Sequence, residues 1–418
     1  MCGENTTERM LREVAGVKVF AAMCMFLLAV GIIERIRHAR RLSSIHLRVQ
    51  VNGTRGKSTT TRLIAAGLRA GGMRVIAKTT GTAARLIYED GSEEEVSRRA
   101  NRSSIAEQMR TIALAAKRGA DVVVVECMAL EPENQWVAEH VMVKSHIGVI
   151  TNARSDHLEI MGPDVLGVAQ SLSNTVPRRG QLVTSERTHL GVLQKAASRL
   201  GTEVHYVDGS KLSDDCMSRF AYVGFKENVA CALRVCELAG IDPDIALAAM
   251  IQAAPDPGAM TVKAMNVNGS RYVLANAFAA NDKDSTWQIW SQLERDYEVE
   301  STADGALSAS LGLPVAVVMN NRPDRSVRLG ELVPLAAQIS PARVFLIGRS
   351  GAMAARRLQR AGYDTCCVRD LTATSDPVRI MQLIADELPG GALLFAMGNT
   401  MGAGSALSEF FERNGESA

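Results

Sequence analysis

The sequence predicts an α/β protein in which a P-loop doubly wound central domain is followed by a smaller C-terminal α/β domain and preceded by an N-terminal hydrophobic helix. Three observations carry this. The stretch Val51-Asn52-Gly53-Thr54-Arg55-Gly56-Lys57-Ser58-Thr59-Thr60 stands between an alternating apolar run (Leu47, Val49, Val51) and a helix-forming run from Thr61 to Ala70. From Ile45 onward, short apolar runs alternate with helical patterns, the rhythm of parallel strands joined by helices. A Pro/Gly-rich break from Ala253 to Gly258 is followed by a second alternation of the same kind.

The first element is the segment Val14 to Ile33, twenty residues interrupted only by Lys18. At helical rise it would extend about 30 Å, the thickness of a bilayer core, with Lys18 near one end where it can reach the interface. Glu34, Arg35, Arg37, His38, Arg40 and Arg41 follow, a basic cluster that places the rest of the chain on the cytoplasmic side of a cell membrane. Residues 1–41 are therefore expected to be a membrane anchor, with the rest of the chain facing the cytoplasm. A buried core helix is the competing expectation.

Residues 42–258 read as the central domain. Strands are expected at Leu47–Val51, Arg74–Ala77, Val122–Val125, Ile147–Thr151 and Leu182–Thr184, several of them apolar on both faces as buried parallel strands are. Helices are expected at Lys57–Ala70, Ile105–Lys117, Asp164–Asn174, His189–Leu200 and Lys226–Ala239. Leu86 to Val96, with Asp90-Gly91 at its middle, reads as an inserted hairpin. Residues 259–418 read as a separate domain, with strands at Tyr272–Ala275, Val315–Met319, Val344–Ile347, Thr365–Val368 and Ala392–Ala396 and a last helix near Ser405–Arg413.

Composition removes other classes. A net charge of +2 with scattered lysines and arginines, and only 4% aromatic residues, gives no nucleic-acid-binding surface. None of the eight cysteines falls into a metal-ligand spacing, which suits buried thiols in a reducing compartment.

The chemistry centres on the glycine stretch. Gly53 and Gly56 allow positive φ and close approach to an anion, and the helix that follows aims its free N–H groups at it. Lys57 supplies a mobile charge for β- and γ-phosphates, and Ser58 is placed to ligate Mg²⁺. The loop is a variant: the strict pattern needs glycine where Val51 stands. Glu126 ends the apolar strand Val122–Val125 at the sheet edge where the loop lies, so it can hold the same ion. Thr151-Asn152-Ala153-Arg154-Ser155-Asp156-His157 brings further polar groups to that edge.

These motifs, with TTGT at Thr79 to Thr82, TNARSDHLEIMG at Thr151 to Gly162 and ENVACALRVCELAGIDPD at Glu227 to Asp244, resemble the Mur ligase family. NAFAANDKDST from Asn276, NNRPDR from Asn320 and AMGNTMGAG from Ala396 are similar to one branch of it, the ATP-dependent subunit of poly-γ-glutamate synthase, the CapB/PgsB type. The resemblance implies that Gly53, Thr54, Arg55, Gly56, Lys57, Ser58 and Thr59 hold the ATP phosphates. It implies that Ser58, Glu126 and His157 ligate magnesium, and that Lys57, Glu126 and His157 are the catalytic set. Asn228 would face the adenine, and Asp282, Arg322 and Arg325 would close over the nucleotide from the C-terminal domain. Peptide-forming relatives carry a lysine that bridges a second magnesium downstream of the histidine. Here that region reads Val168-Ala169-Gln170-Ser171-Leu172, so a second metal site is absent or built differently.

The activity implied is ATP-dependent activation of a glutamate γ-carboxylate as an acyl phosphate, followed by attack of another glutamate's amine, building poly-γ-glutamate. The implied partners are glutamate and the growing polymer, a small integral membrane subunit and an accessory subunit, in an oligomer. A folylpolyglutamate-type or other Mur-like ligase is the alternative enzyme, and an ATP-binding membrane scaffold the non-enzymatic one. With 52 residues before Gly53, the UDP-binding domain of peptidoglycan-precursor ligases is not expected here.

Overall fold

The structure, a computed structural model, describes residues 6–80, 84–96, 104–220, 222, 225–256, 260–280, 283–301, 307–309, 312–322 and 326–417. It has two sheets in sequence, as the two alternations require. In the first, eight strands among the described residues run in chain order: β1 (Leu47–Asn52), β2 (Val75–Lys78), β3 (Arg85–Ile87), β4 (Glu93–Glu95), β5 (Val122–Glu126), β6 (Ile147–Ile150), β7 (Gln181–Thr184) and β8 (Glu203–Tyr206). Their spatial order is β4-β3-β2-β5-β1-β6-β7-β8, parallel except for the expected hairpin β3–β4. Gly91 takes φ +85° in that hairpin, beside Asp90 whose carboxylate accepts from Ser92 N at 2.9 Å.

Helices cover both faces, so strand residues of either parity are buried. Lys57–Ala70, Lys226–Leu238 and Pro243–Ile251 pack on one face through Leu63, Ile64, Leu68, Val235 and Met250. The helix Ala106–Arg118 and the π-helical turns Ala138–Val143 cover half of the other face, and Val165–Leu172 with Leu190–Leu200 cover the rest. Glu139, in the π-helical turns, is wholly buried and accepts from Ser145 N (2.9 Å) and Ser145 Oγ (2.8 Å). Burial pushes its carboxyl up to about 7, against the pull of those two donors and of the Arg48 charge.

The second sheet is organised on the strand Leu313–Asn321, parallel to Ala392–Gly398 on one side and Arg343–Gly348 on the other. Ser270–Asn276 pairs with Ala392–Gly398 and, antiparallel, with Thr261–Val267. One expectation fails here. Thr365–Cys367 is a 3₁₀ turn capped by Asp364, and the strand is Val368–Asp370. The Asp364 carboxylate accepts from Cys366 N (3.0 Å), a local bond that wins over strand pairing.

The N-terminal helix runs over Thr6–Ser43. Phe20, Met23, Met25, Phe26, Leu27 and Leu28 are exposed, which sets aside a buried core helix for that part. Among the described residues no helix is long and apolar enough to cross a membrane. Its last turns belong to the first sheet's core: His38 and Leu42 are buried, His38 Nε2 bonds to Met142 O at 2.8 Å, and Arg48 donates to Leu42 O at 2.7 Å. An anchor cut at residue 41 would therefore sever a packed helix.

The thiols divide. Cys127, Cys231 and Cys236 are buried as expected, but Cys24 and Cys366 are exposed.

Candidate active site

β1 lies between β5 and β6, with Val51 opposite Glu126 and Asn52 opposite Ile150, so the glycine loop, Glu126 and the Thr151 segment emerge side by side. Gly53 has φ +130°, and a Cβ there would collide with the Thr151 hydroxyl. Gly56 has φ +79° and lies under the Asn228 amide, which any side chain at that position would strike. Both glycines are therefore required twice, by backbone conformation and by close packing.

The strand ends hold the loop in shape. Thr54 N donates to Asn152 O (3.0 Å) and Thr54 Oγ1 to Asn152 Oδ1 (2.7 Å), while Thr151 Oγ1 donates to Arg55 O (2.6 Å). Arg55 pairs with Asp156 at 2.7 Å. Beneath the loop, Asn52 Nδ2 donates to Gln135 Oε1 and Thr175 Oγ1, both at 3.1 Å, and Gln135 Nε2 donates to Ser171 Oγ at 2.9 Å. Ser171, in the helix Val165–Leu172, is buried in this network.

Lys57 begins the helix Lys57–Ala70 and its Nζ donates to Gly53 O (2.7 Å) and Thr54 O (3.3 Å), so the ammonium curls over the loop. Ser58 Oγ donates to Glu126 Oε2 at 2.8 Å. Glu126 is buried and also accepts from Thr80 N (2.7 Å) and Thr80 Oγ1 (2.5 Å). Ser58 and Glu126 thus form one cluster of hard oxygen donors, the ligand type that suits a small divalent cation. His157 is turned elsewhere: φ is +45°, Nδ1 lies 3.3 Å from Glu159 Oε1, and Nε2 lies 3.9 Å from Asp156 Oδ1. The structure joins Ser58 to Glu126 and gives the histidine other partners. Cys127, next to Glu126, is not a nucleophile in waiting, because burial pushes its thiol up to about 11.

A cleft of about 460 Å³ opens beside the loop, lined on one side by Arg55, Gly56, Asn152 and Asn228 and on the other by Trp287 and Gln288. The last two belong to the helix Lys283–Asp296 of the second sheet's half, and Arg154 reaches across to Gln288 Oε1 at 3.1 Å. Sequence reasoning missed both, although Trp287 immediately follows NAFAANDKDST and one of only three tryptophans could have been asked what it lines. Asn228, in the first turn of the helix Lys226–Leu238, lines the cleft. Asp282 and Arg325 lie outside the described residues, and Arg322, at the end of Leu313–Asn321, is not among the residues lining the cleft.

Comparison with known proteins bears on most of the chain. Residues 51–221 match the model of the Mur ligase middle domain, and residues 262–414 match that of the poly-gamma-glutamate synthase CapB C-terminal domain. The chain is 32% identical over 388 residues to the PGA synthase CapB of Bacillus subtilis (strain 168), covering 92% of this chain and 95% of that one. It is 38% identical over 302 residues to the capsule biosynthesis protein CapB of Bacillus anthracis, covering 72% of this chain and 62% of that relative's length. Among solved structures, the folylpolyglutamate synthase of Mycobacterium tuberculosis complexed with ADP superposes with TM-score 0.62 at 15% identity, over 91% of this chain and 93% of that one. The bifunctional folylpolyglutamate synthase/dihydrofolate synthase of Yersinia pestis, complexed with AMPPNP and Mn ion, gives 0.59 at 14%, over 90% and 93%; at such identities the likeness is one of fold. The chain belongs to the CapB family of poly-γ-glutamate synthases.

Proposed function

We propose that the chain is an ATP-dependent amide ligase that activates a glutamate γ-carboxylate as an acyl phosphate and joins it to the amine of another glutamate, extending poly-γ-glutamate. The observation that carries this reading is the loop itself: two positions where only glycine fits, a lysine over the loop and a serine–glutamate oxygen cluster at the same strand edge. Likeness to the two CapB proteins supports the substrate. Residues 42–258 and 259–418 are proposed as the central and C-terminal ligase domains, with the anchor of residues 1–41 limited to the exposed part of the helix before His38.

In this reading the amides of Lys57, Ser58 and Thr59, at a helix start where Gly56 offers no capping side chain, take the phosphates of ATP. Lys57 leaves the Gly53 and Thr54 carbonyls for the transferring phosphoryl oxygens, where its charge counts most as negative charge spreads. Ser58 and Glu126 would hold Mg²⁺, which when bound neutralises phosphate charge. His157 would have to leave Glu159 to join them. Asn228, Trp287 and Gln288 line the cleft for the base, and Asp282, Arg322 and Arg325 are proposed to approach from the second half. The acyl phosphate forms when the γ-carboxylate oxygen attacks the γ-phosphorus and ADP departs; the incoming amine then displaces phosphate, leaving the amide. Closure of the cleft protects that intermediate from water.

The exposed apolar run of the N-terminal helix supports attachment to the cell membrane, where a polymerase gains by sitting beside a membrane subunit that passes the product out. The decisive experiment is phosphate release and polymer formation by membranes containing the full chain with Mg²⁺, ATP and glutamate. Both should depend on all three. Phosphate release that ignores glutamate would overturn the ligase reading, and glutamate addition only to a folate would move the chain to the folylpolyglutamate class.

A further inference from the structure

We propose that the groove between the last turns of the N-terminal helix and the helix Ala106–Arg118 binds the phosphate headgroup of an anionic phospholipid. The proposal rests on the membrane reading above and adds a lipid class and a site to it. The groove has a volume of about 490 Å³, a floor of Ala113, Leu114 and Ala116, and a rim of Arg41 and Lys117. Arg110, Ala113, Leu114 and Lys117 recur at helical spacing and so share one face, with both cations exposed. Beyond Arg41, Arg35, Arg37 and Arg40 add three exposed guanidinium groups along the facing helix.

Charge pairing separates this patch from the rest of the surface. Arg74 pairs with Asp121 at 2.9 Å and Arg118, next to Lys117, with Glu89 at 2.6 Å. Among the described residues, none of Arg35, Arg37, Arg40, Arg41, Arg110 and Lys117 has a carboxylate within ion-pair distance, although Glu34 lies on the same helix. Unpaired cations round an apolar floor match a lipid phosphate with its glycerol and first acyl carbons; a hydrated polyanion would leave the floor unused.

Depth agrees with charge. From Ile33, the end of the apolar run, to Arg41 the helix rises about 12 Å, so with the exposed run lying in the bilayer interface these turns lie at headgroup level. The groove is also preformed. Leu42 and Ile45 are buried against Ile112 and Ala115, His38 is bonded to Met142 O, and Arg48 ties down the carbonyls of Leu42 and Ile45.

The test is flotation of the full chain made by cell-free synthesis with vesicles of phosphatidylcholine alone or mixed with phosphatidylglycerol. We expect it to float with both, and about tenfold or more better with the mixture at low salt, as two to several cations near an anionic surface require. Arg41→Gln/Lys117→Gln should lose most of that preference while floating with phosphatidylcholine and binding ATP as before. Arg41→Lys/Lys117→Arg should keep it. Flotation with neither vesicle overturns the membrane reading and this proposal together. Equal flotation with both overturns the headgroup site and leaves the membrane reading standing. A preference that survives the glutamine pair overturns the assignment to this groove. Loss of binding to soluble poly-γ-glutamate by that pair, with the vesicle preference intact, would make the groove a track for product instead.

Discussion

Asn52 ends the central strand of the first sheet, and Asn320 stands at the matching end of Leu313–Asn321 in the second; both are buried. Asn52 gives its amide hydrogens to two side chains, Gln135 and Thr175, and the chain beyond it turns freely at Gly53 into the loop. Asn320 gives its own to main-chain carbonyls, those of Asn399 and Met401, and is pressed by Gly348, Gly398 and Gly404, where any Cβ would strike it. The same residue at the same topological position thus supports an open cradle in one sheet and pins the backbone shut in the other. Bonding to side chains spares the amides at the start of the helix Lys57–Ala70, where Gly56 offers no capping side chain, whereas bonding to backbone fixes the neighbouring turns. The first edge should accordingly be sensitive in activity and the second in stability.

Substitution at the first edge gives the largest expected effect. Lys57→Ala should lower ATP turnover by about a hundredfold or more, because its charge matters mainly when phosphates are bound. Its thermal unfolding should stay near that of the parent; undiminished turnover in a folded variant would sink the loop assignment. At the second edge, Asn320→Ala should cost roughly 1–3 kcal/mol by orphaning the carbonyls of Asn399 and Met401, with little change in ATP affinity. Denaturant titration beside ATP binding measures both, and a loss of affinity without a loss of stability would erase the contrast between the edges.

Glu139, remote from both edges, tests whether a stability effect can be kept apart from activity. Its folded carboxyl sits at about 7 against an ordinary 4.5, so the folded state holds the proton more tightly. The stability this contributes is complete below about pH 4.5 and is lost as pH rises through about 7. Glu139→Gln should therefore flatten the pH dependence of unfolding and gain on the parent at pH 8, by about 1–3 kcal/mol. A parallel pair of stability curves from pH 5 to pH 8 would show the carboxyl to be charged throughout. The smallest effect is expected at His157. Since it is partnered by Glu159 and Asp156, His157→Ala should raise the magnesium needed for half-maximal turnover only a few-fold. An unchanged magnesium titration would leave the histidine a structural residue.

Much of this was legible in the chain. The helix from Lys57 to Ala70 has the bounds that its pattern predicts, and the strands leading to Gly53 and Glu126 differ by at most a residue. Such features depend on neighbours a few positions apart: periodicity sets which face is buried, and positive φ at Gly53 and Gly56 follows from the tight turn they must make. The anchor boundary was less legible, because the exposed part and the packed part of the N-terminal helix, which meet near His38, are equally helical in pattern.

The strand–glycine–helix unit, the order of the two sheets and the residues delivered to the first sheet's edge all follow from the chain's own pattern. Tertiary structure alone decided that Asn228 lies over Gly56, that Trp287 and Gln288 face the loop across a cleft, that Ser58 meets Glu126 while His157 turns to Glu159, and that Leu42 roots the N-terminal helix beside a bare row of cations. The physical reason is sequence separation. Most of these contacts join segments tens to hundreds of positions apart, and which of them meet depends on strand order and on how helices seat against the sheet. The turn of His157 is local, yet it is taken by a residue at φ +45°, a conformation that spacing does not announce.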